Sequence, residues 1–297
     1  MSERESPWKS RGPKRPAQDA RPPREAREPA REQRPVHREE APSEEHQHAR
    51  EHRETELRLY GVNAVKAAFH RRPEALRKLY LVQDRIPQLQ PMLRWCVAHR
   101  VGYRVVEDEG DLRRLAGSEH HEGVVADMLR EPQQTLTTWL HHLPAGPVCA
   151  LWLDGVGNPH NVGAILRSAA HFGVSAILLP KHSTFALSGA AVRVAEGGAE
   201  AVPFVRLGRD DNSLAQLRGA GFALAATVVR GGVPLFETAL PQRLVYVIGA
   251  EGEGMSSSLA ELCDLRVSIP GSGKVESLNV AAATAVLLAE WGRGVRR

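Results

Sequence analysis

Residues able to do chemistry gather in three short strings of the 297-residue chain. The first, LDGVGNPHNVGAILRSA, occupies 153–169. A strand ending at Asp154 gives way to a glycine-broken turn, where Asn158 can cap a helix and Pro159 suits its first position. Val162, Ile165, Leu166 and Ala169 then follow the spacing of a buried helical stripe, with His160, Gly163, Arg167 and His171 on another face. Glycine inside a helix costs about 1 kcal/mol against alanine, so Gly163 implies close approach of something beside Arg167. Spacing alone equally admits Arg167 as a solvated surface arginine.

The second string, IGAEGEGM at 248–255, directly follows an apolar run. Its glycines open backbone conformations closed to other residues. It is neither a P-loop nor G-x-G-x-x-G, and its two carboxylates suit a cation or an arginine better than a phosphate. Read as structure alone, it is a strand-to-helix turn with solvated glutamates. The third string, IPGSGKVESLNVAAA at 269–283, is a strand end, a flexible loop and the start of an alanine-rich helix over 280–291. Ser277 and Asn279 stand at the helix entry, where they serve as caps or as site residues.

These strings need elements to hold them. The hydrophobic content of 42% supplies a core. Residues 1–55 contain 13 Lys/Arg, 12 Asp/Glu and eight prolines but no Leu, Ile or Phe. Such a segment buries too little apolar surface to offset ordering entropy, so a disordered, solvated tail is expected. From about residue 57, a short helix through 69, strands at 78–82, 101–106 and 123–128, and helices over 86–97 and 108–115 make a small α/β unit. Pro and Thr mark 131–146 as a connector. A second α/β series follows over 147–297, with strands near 148–154, 175–179, 202–205, 222–228, 244–248 and 266–269. Continuous apolar runs such as 245–248 suit a parallel sheet buried on both faces.

Several classes are excluded. No apolar stretch reaches the roughly 18 residues of a membrane span, and no secretory signal is expected at the N-terminus. Cys96, Cys149 and Cys263 lie far apart without ligand spacing, which argues against a disulfide scaffold or a metal site and for a cytoplasmic protein. The formal net charge of +4 is compatible with an RNA partner.

Together, the three strings resemble motifs one, two and three of the SpoU family of RNA ribose 2′-O-methyltransferases, in the SPOUT superfamily. YGVNAVKAAF at 60–69 and HHEGVVADM at 120–128 resemble the family's substrate-binding domain, and VRVAEGGAEAVPF at 192–204 a further family segment, with Glu196 where many members differ. The resemblance covers roughly 57–295. It implies a parallel-sheet SPOUT domain with a trefoil knot, an S-adenosylmethionine cofactor and a homodimer. RNA, either tRNA or rRNA, would be the substrate. Gly249, Ile269 and Leu278 fall at the family's usual cofactor positions, with Thr227 a further candidate at a strand end. Arg167, Asn161, Glu251, Ser277 and Asn279 fall at the catalytic positions. Family proposals make the arginine a base, but a guanidinium stays protonated in proteins. A role on a neighbouring phosphate and on developing alkoxide charge fits better. Asn161 would then position Arg167 or the ribose, and Glu251 would hold an arginine or a backbone donor. Ala281 replaces a serine common in motif three, a change expected to affect packing. The implied activity is methyl transfer to a ribose 2′-hydroxyl. A catalytically silent RNA-binding or ribosome-assembly protein is the alternative. The small unit, lacking a catalytic constellation, is expected to choose the RNA and to be removable without loss of cofactor binding.

Overall fold

The structure, a computed structural model, describes residues 55–252 and 254–295. The expected disordered tail therefore lies outside the described residues, apart from Thr55. The first part of the fold is a four-stranded sheet. In chain order its elements are β1 (Glu56–Tyr60), α1 (Val62–Arg71), β2 (Leu76–Val82), α2 (Ile86–His99), β3 (Gly102–Val106), α3 (Glu109–Ala116) and β4 (Val124–Leu129). The sheet order is β1-β4-β2-β3, with β4 antiparallel to both neighbours and β3 parallel to β2. Strand β1 is an addition to the sequence reading; its alternation of Glu56, Leu57, Arg58 and Leu59 is short and borders the charged tail.

The 131–146 connector contains structure of its own. Strand β5 (Gln134–Thr135) and helix α4 (Leu136–His141) lie in it, and the Thr135 hydroxyl caps α4 by accepting from the Thr138 amide at 3.2 Å. The chain continues through β6 (Val148–Asp154), α5 (Pro159–Phe172), β7 (Ala176–Leu179), α6 (Gly189–Ala195), α7 (Gly198–Ala201) and β8 (Phe204–Arg206). It ends with α8 (Asp210–Gly219), β9 (Ala223–Thr227), β10 (Val233–Pro234), β11 (Arg243–Gly249), α9 (Ser257–Leu262), β12 (Leu265–Ser268) and α10 (Val280–Val295). These eight strands form one parallel sheet of order β10-β12-β9-β11-β6-β7-β8-β5. Alternate residues of β6 feed opposite faces. Cys149, Leu151 and Leu153 meet α5 and α10, while Val148, Ala150 and Trp152 meet α4, α8 and α9. The two-sided apolar run is the signature of a parallel strand covered by helices on both faces.

One hydrophobic core joins the two sheets. Leu59, Leu79 and Met128 of the smaller sheet belong to the same buried cluster as Leu151, Ile165 and Leu288. Polar contacts reinforce the junction. Arg193 of α6 bonds Glu122 at 3.1 Å, and Asn63 of α1 donates to Glu196 at 2.7 Å. Arg72 bonds both oxygens of Glu200 at 2.8 and 3.1 Å and also the Leu129 carbonyl. The two sheets are thus less separable than the connector's composition suggests. Removing 56–130 would uncover this shared core.

The Arg72–Glu200 pair is nearly out of solvent, with side chains 12% and 6% exposed. Burial opposes the charge of Arg72, and its bonds to Glu200 more than offset that, holding the guanidinium above its ordinary value. Removing one member of a buried pair strands the other and costs about 3–5 kcal/mol. Glu200→Ala is therefore expected to lower Tm by about 10 °C in a thermal melt. Adding Arg72→Ala should cost less than the sum of the two single changes, because the stranded charge is gone.

Candidate functional site

The glycine of α5 finds its explanation within the chain. A Cβ on Gly163 would stand 2.6 Å from both the Ala191 carbonyl oxygen and the Val194 Cβ. Helix α6 crosses α5 there, so the close approach is internal packing. The cap of α5 forms as its sequence suggests. The Asn158 side-chain oxygen accepts from the amides of His160 at 2.9 Å and Asn161 at 3.4 Å, which fixes the helix start and the place of Asn161.

The second string folds back on itself. Ala250 and Gly254 exchange both backbone hydrogen bonds at 3.1 and 3.0 Å. A Cβ on Gly249 would lie 2.5 Å from the Gly254 carbonyl carbon and the Met255 nitrogen. No larger residue fits without opening the loop. This tight loop leaves β11 at its carboxyl end, the usual ligand side of an open α/β sheet.

A cleft of about 530 Å³ opens at that end, between the ends of β9, β11 and β12, the 269–279 segment and the first turns of α10. Seven candidate residues line it: Thr227, Gly249, Glu251, Ile269, Ser277, Leu278 and Asn279. Its walls carry Ile248, Val267 and Leu287 besides Ile269 and Leu278. Glu251 and Glu276 supply its charge, and among the described residues no Lys, Arg or His lines it. The Thr227 hydroxyl is already spent on the Val247 carbonyl at 2.9 Å, so this residue contributes shape.

Asn161 lies outside the lining but is tied to it. Its amide nitrogen donates to Glu251 Oε2 at 2.7 Å. Asn279 Nδ2 donates to Glu251 Oε1 at 2.9 Å and to Asn161 Oδ1 at 3.0 Å. The Val280 amide adds a bond to Glu251 Oε1 at 3.3 Å. The three strings therefore meet in one network centred on a carboxylate. Of the partners expected for Glu251, an arginine and a backbone donor, the structure supplies the second. Asn279 caps α10, because its Oδ1 accepts from the Ala281 and Ala282 amides at 2.9 and 3.3 Å, and it also lines the cleft. Ser277 stands exposed at the rim. Ala281 is buried against the core, in keeping with a packing role.

Arg167 is not brought into this group. It lies exposed on α5, with no hydrogen bond or ion pair among the described residues. Gly198 of α7 packs on its backbone, where an added Cβ would come within 2.9 Å of the Arg167 Cα. The cysteines play no part in the cleft. Cys96 and Cys149 are buried, and burial pushes the half-buried Cys263 thiol up to about 11. Sequence reasoning missed Glu276, whose place on the cleft wall follows from the path of a loop with no periodic signal.

The fold is a parallel α/β sheet with a cleft at the carboxyl ends of its strands. Residues 149–289 match the SpoU rRNA Methylase family, and residues 58–133 match the RNA 2′-O ribose methyltransferase substrate-binding family. The chain is 41% identical over 241 residues to the uncharacterized tRNA/rRNA methyltransferase YfiF of Escherichia coli O157:H7, covering 81% of this chain and 69% of that one. It is 34% identical over 234 residues to the 23S rRNA (guanosine-2′-O-)-methyltransferase RlmB of Nitrosomonas europaea, covering 78% and 89%. In fold it resembles the AdoMet-bound rRNA methyltransferase of Sinorhizobium meliloti, with a TM-score of 0.67, 24% identity and coverage of 84% and 90%. The chain belongs to the SpoU rRNA methylase family.

Proposed function

We propose that the protein transfers a methyl group from S-adenosylmethionine to a ribose 2′-hydroxyl of tRNA or rRNA. The observation that carries this is the cleft itself, lined among the described residues by apolar side chains and two carboxylates, with no basic side chain. Such a lining admits a ligand bearing sulfonium and ammonium charge and disfavours a nucleoside polyphosphate. The relatives' methyltransferase names favour turnover over a silent RNA-binding role.

When bound, S-adenosylmethionine supplies a methyl group already activated by its sulfonium. The chain's own work is alignment, which in favourable systems lowers a barrier by roughly 7–11 kcal/mol. Gly249, Ile269 and Leu278 hold the cofactor through backbone groups, with Thr227 shaping the floor. Glu251, Asn161 and Asn279 keep the three strings in register. Arg167 takes the phosphate beside the target ribose and stabilises charge growing on the 2′-oxygen. It stays protonated, so the hydroxyl proton leaves to phosphate or water. Ser277 shapes the rim.

Residues 56–130 form the RNA-binding domain, 131–146 the linker and 147–297 the methyltransferase domain, a division supported by the family matches at 58–133 and 149–289. The C-terminal segment forms a trefoil knot. The sheet order, with β9 between β11 and β12, and the return of Asn279 to Asn161 support it. Two copies form a homodimer, a reading supported by the exposed position of Arg167 away from the cleft lining. The alanines of α10 are a poorer argument for it, since the buried stripe of that helix packs within its own chain. The protein acts in the cytoplasm; among the described residues no helix is long and apolar enough to cross a membrane.

Isothermal calorimetry in metal-free buffer tests the cofactor assignment. Saturable S-adenosylmethionine binding is expected, with no change on adding a divalent ion. Heat appearing only after a divalent ion is supplied would sink it.

A further inference from the structure

A second cleft, of about 340 Å³, lies where the two sheets meet, remote in sequence from the cofactor cleft. Arg130 leads out of β4 into it. Its Nη1 donates to the Leu187 carbonyl at 2.8 Å, and among the described residues it has no carboxylate partner. A guanidinium carries five donors, so most remain available. Two acidic residues line the cleft among the described residues. Glu200 is held by Arg72, and Glu131 lies 3.9 Å from Arg71. Burial alone pushes the Arg130 guanidinium below its ordinary value, a cost that an incoming anion would relieve.

Aromatic side chains line the same cleft. Phe185, half-buried, lines the cleft and packs on Phe204 with ring centroids 5.5 Å apart and a 31° tilt. The volume is at the low end of the roughly 300–1,000 Å³ of small-ligand sites, enough for one nucleotide and too small for a helix. Position adds to the case. Helix α7, roughly 6 Å long at helical rise, touches the Arg167 backbone through Gly198 and lines the cleft through Ala199 and Glu200. An RNA strand that meets Arg167 can therefore leave a neighbouring nucleotide here.

We infer that this cleft is a subsite for one unpaired nucleotide of the RNA strand, with its phosphate on Arg130 and its base against Phe185. The inference rests on the RNA-methylating reading above. Base–aromatic stacking and phosphate pairing are each sequence-tolerant, so the subsite favours single-stranded over duplex RNA.

The test uses the full chain and a short fluorescein-labelled single-stranded RNA carrying 4-thiouridine. Phe185→Leu keeps apolar bulk and removes the ring face; it is expected to weaken RNA binding roughly tenfold by anisotropy. Arg130→Gln should weaken it similarly and lower the slope of log affinity against log salt by about one. S-adenosylmethionine affinity should stay unchanged in both. Photocrosslinks in the parent chain should fall in 130–134 or 181–187. Unchanged RNA affinity in a folded Phe185→Leu, or crosslinks confined elsewhere, would overturn the subsite. If Arg130→Gln fails to fold, Phe185→Leu and the crosslink map decide. A parent chain that binds no RNA would overturn the underlying reading, and the subsite with it.

Discussion

Arg167→Ala is expected to reduce methyl transfer to RNA by about 10²–10³-fold while leaving cofactor affinity and Tm close to those of the unaltered chain. The magnitude is that of removing one donor aimed at developing oxyanion charge. The sparing of cofactor binding follows from position. Arg167 lies outside the cleft lining and is exposed, so nothing in the cofactor site leans on it. The sparing of stability has the same origin, because α5 buries Val162, Ile165, Leu166 and Ala169 on its other face. Arg167→Lys should recover only part of the loss, since an ammonium keeps the charge without the planar fork. Single-turnover transfer of a radiolabelled methyl group, with calorimetry on the same preparation, measures both halves. Transfer near the normal rate in Arg167→Ala would remove the arginine from the mechanism.

Glu251→Gln should lose both binding and turnover, which separates it from Arg167. Its carboxylate accepts from Asn161, Asn279 and the Val280 amide. Glutamine replaces one acceptor oxygen with an NH₂ donor, so at least one of these donors then faces another donor. A hydrogen bond to a charged group is worth about 1.5–3 kcal/mol. Glu251 is exposed, so solvent discounts the loss to about one such bond. A roughly tenfold weaker cofactor affinity is expected, together with a larger fall in turnover as the three strings lose register. Asn161→Ala should lie between the unaltered chain and Glu251→Gln, because it leaves the bonds from Asn279 and Val280 in place. Cofactor binding by Glu251→Gln as tight as that of the unaltered chain would show that the network is ornamental to the cleft.

Local rules account for the features that could be read before any fold was known. The two-sided apolar runs of β6 and β11, the Asn158–Pro159 start of α5 and its buried stripe are all visible because each depends on neighbours within a few residues. The placement of Gly249, Ile269, Leu278, Glu251 and Asn279 in one cleft was legible too, though only because three strings together resemble a family. Long-range packing supplied the rest. The partner of Gly163 is α6, some 30 residues on, and no spacing rule reports a helix crossing. Asn161 and Asn279 meet across 118 residues, and Glu251 joins them through distances no periodicity encodes. Strands β5 and β10, two residues each, are too short to announce themselves and exist because a longer strand offers them a partner edge. Across the connector, the two sheets share one core. Apolar residues in a sequence declare that they will be buried but not against what, and here the smaller sheet buries its leucines against the helices of the larger one.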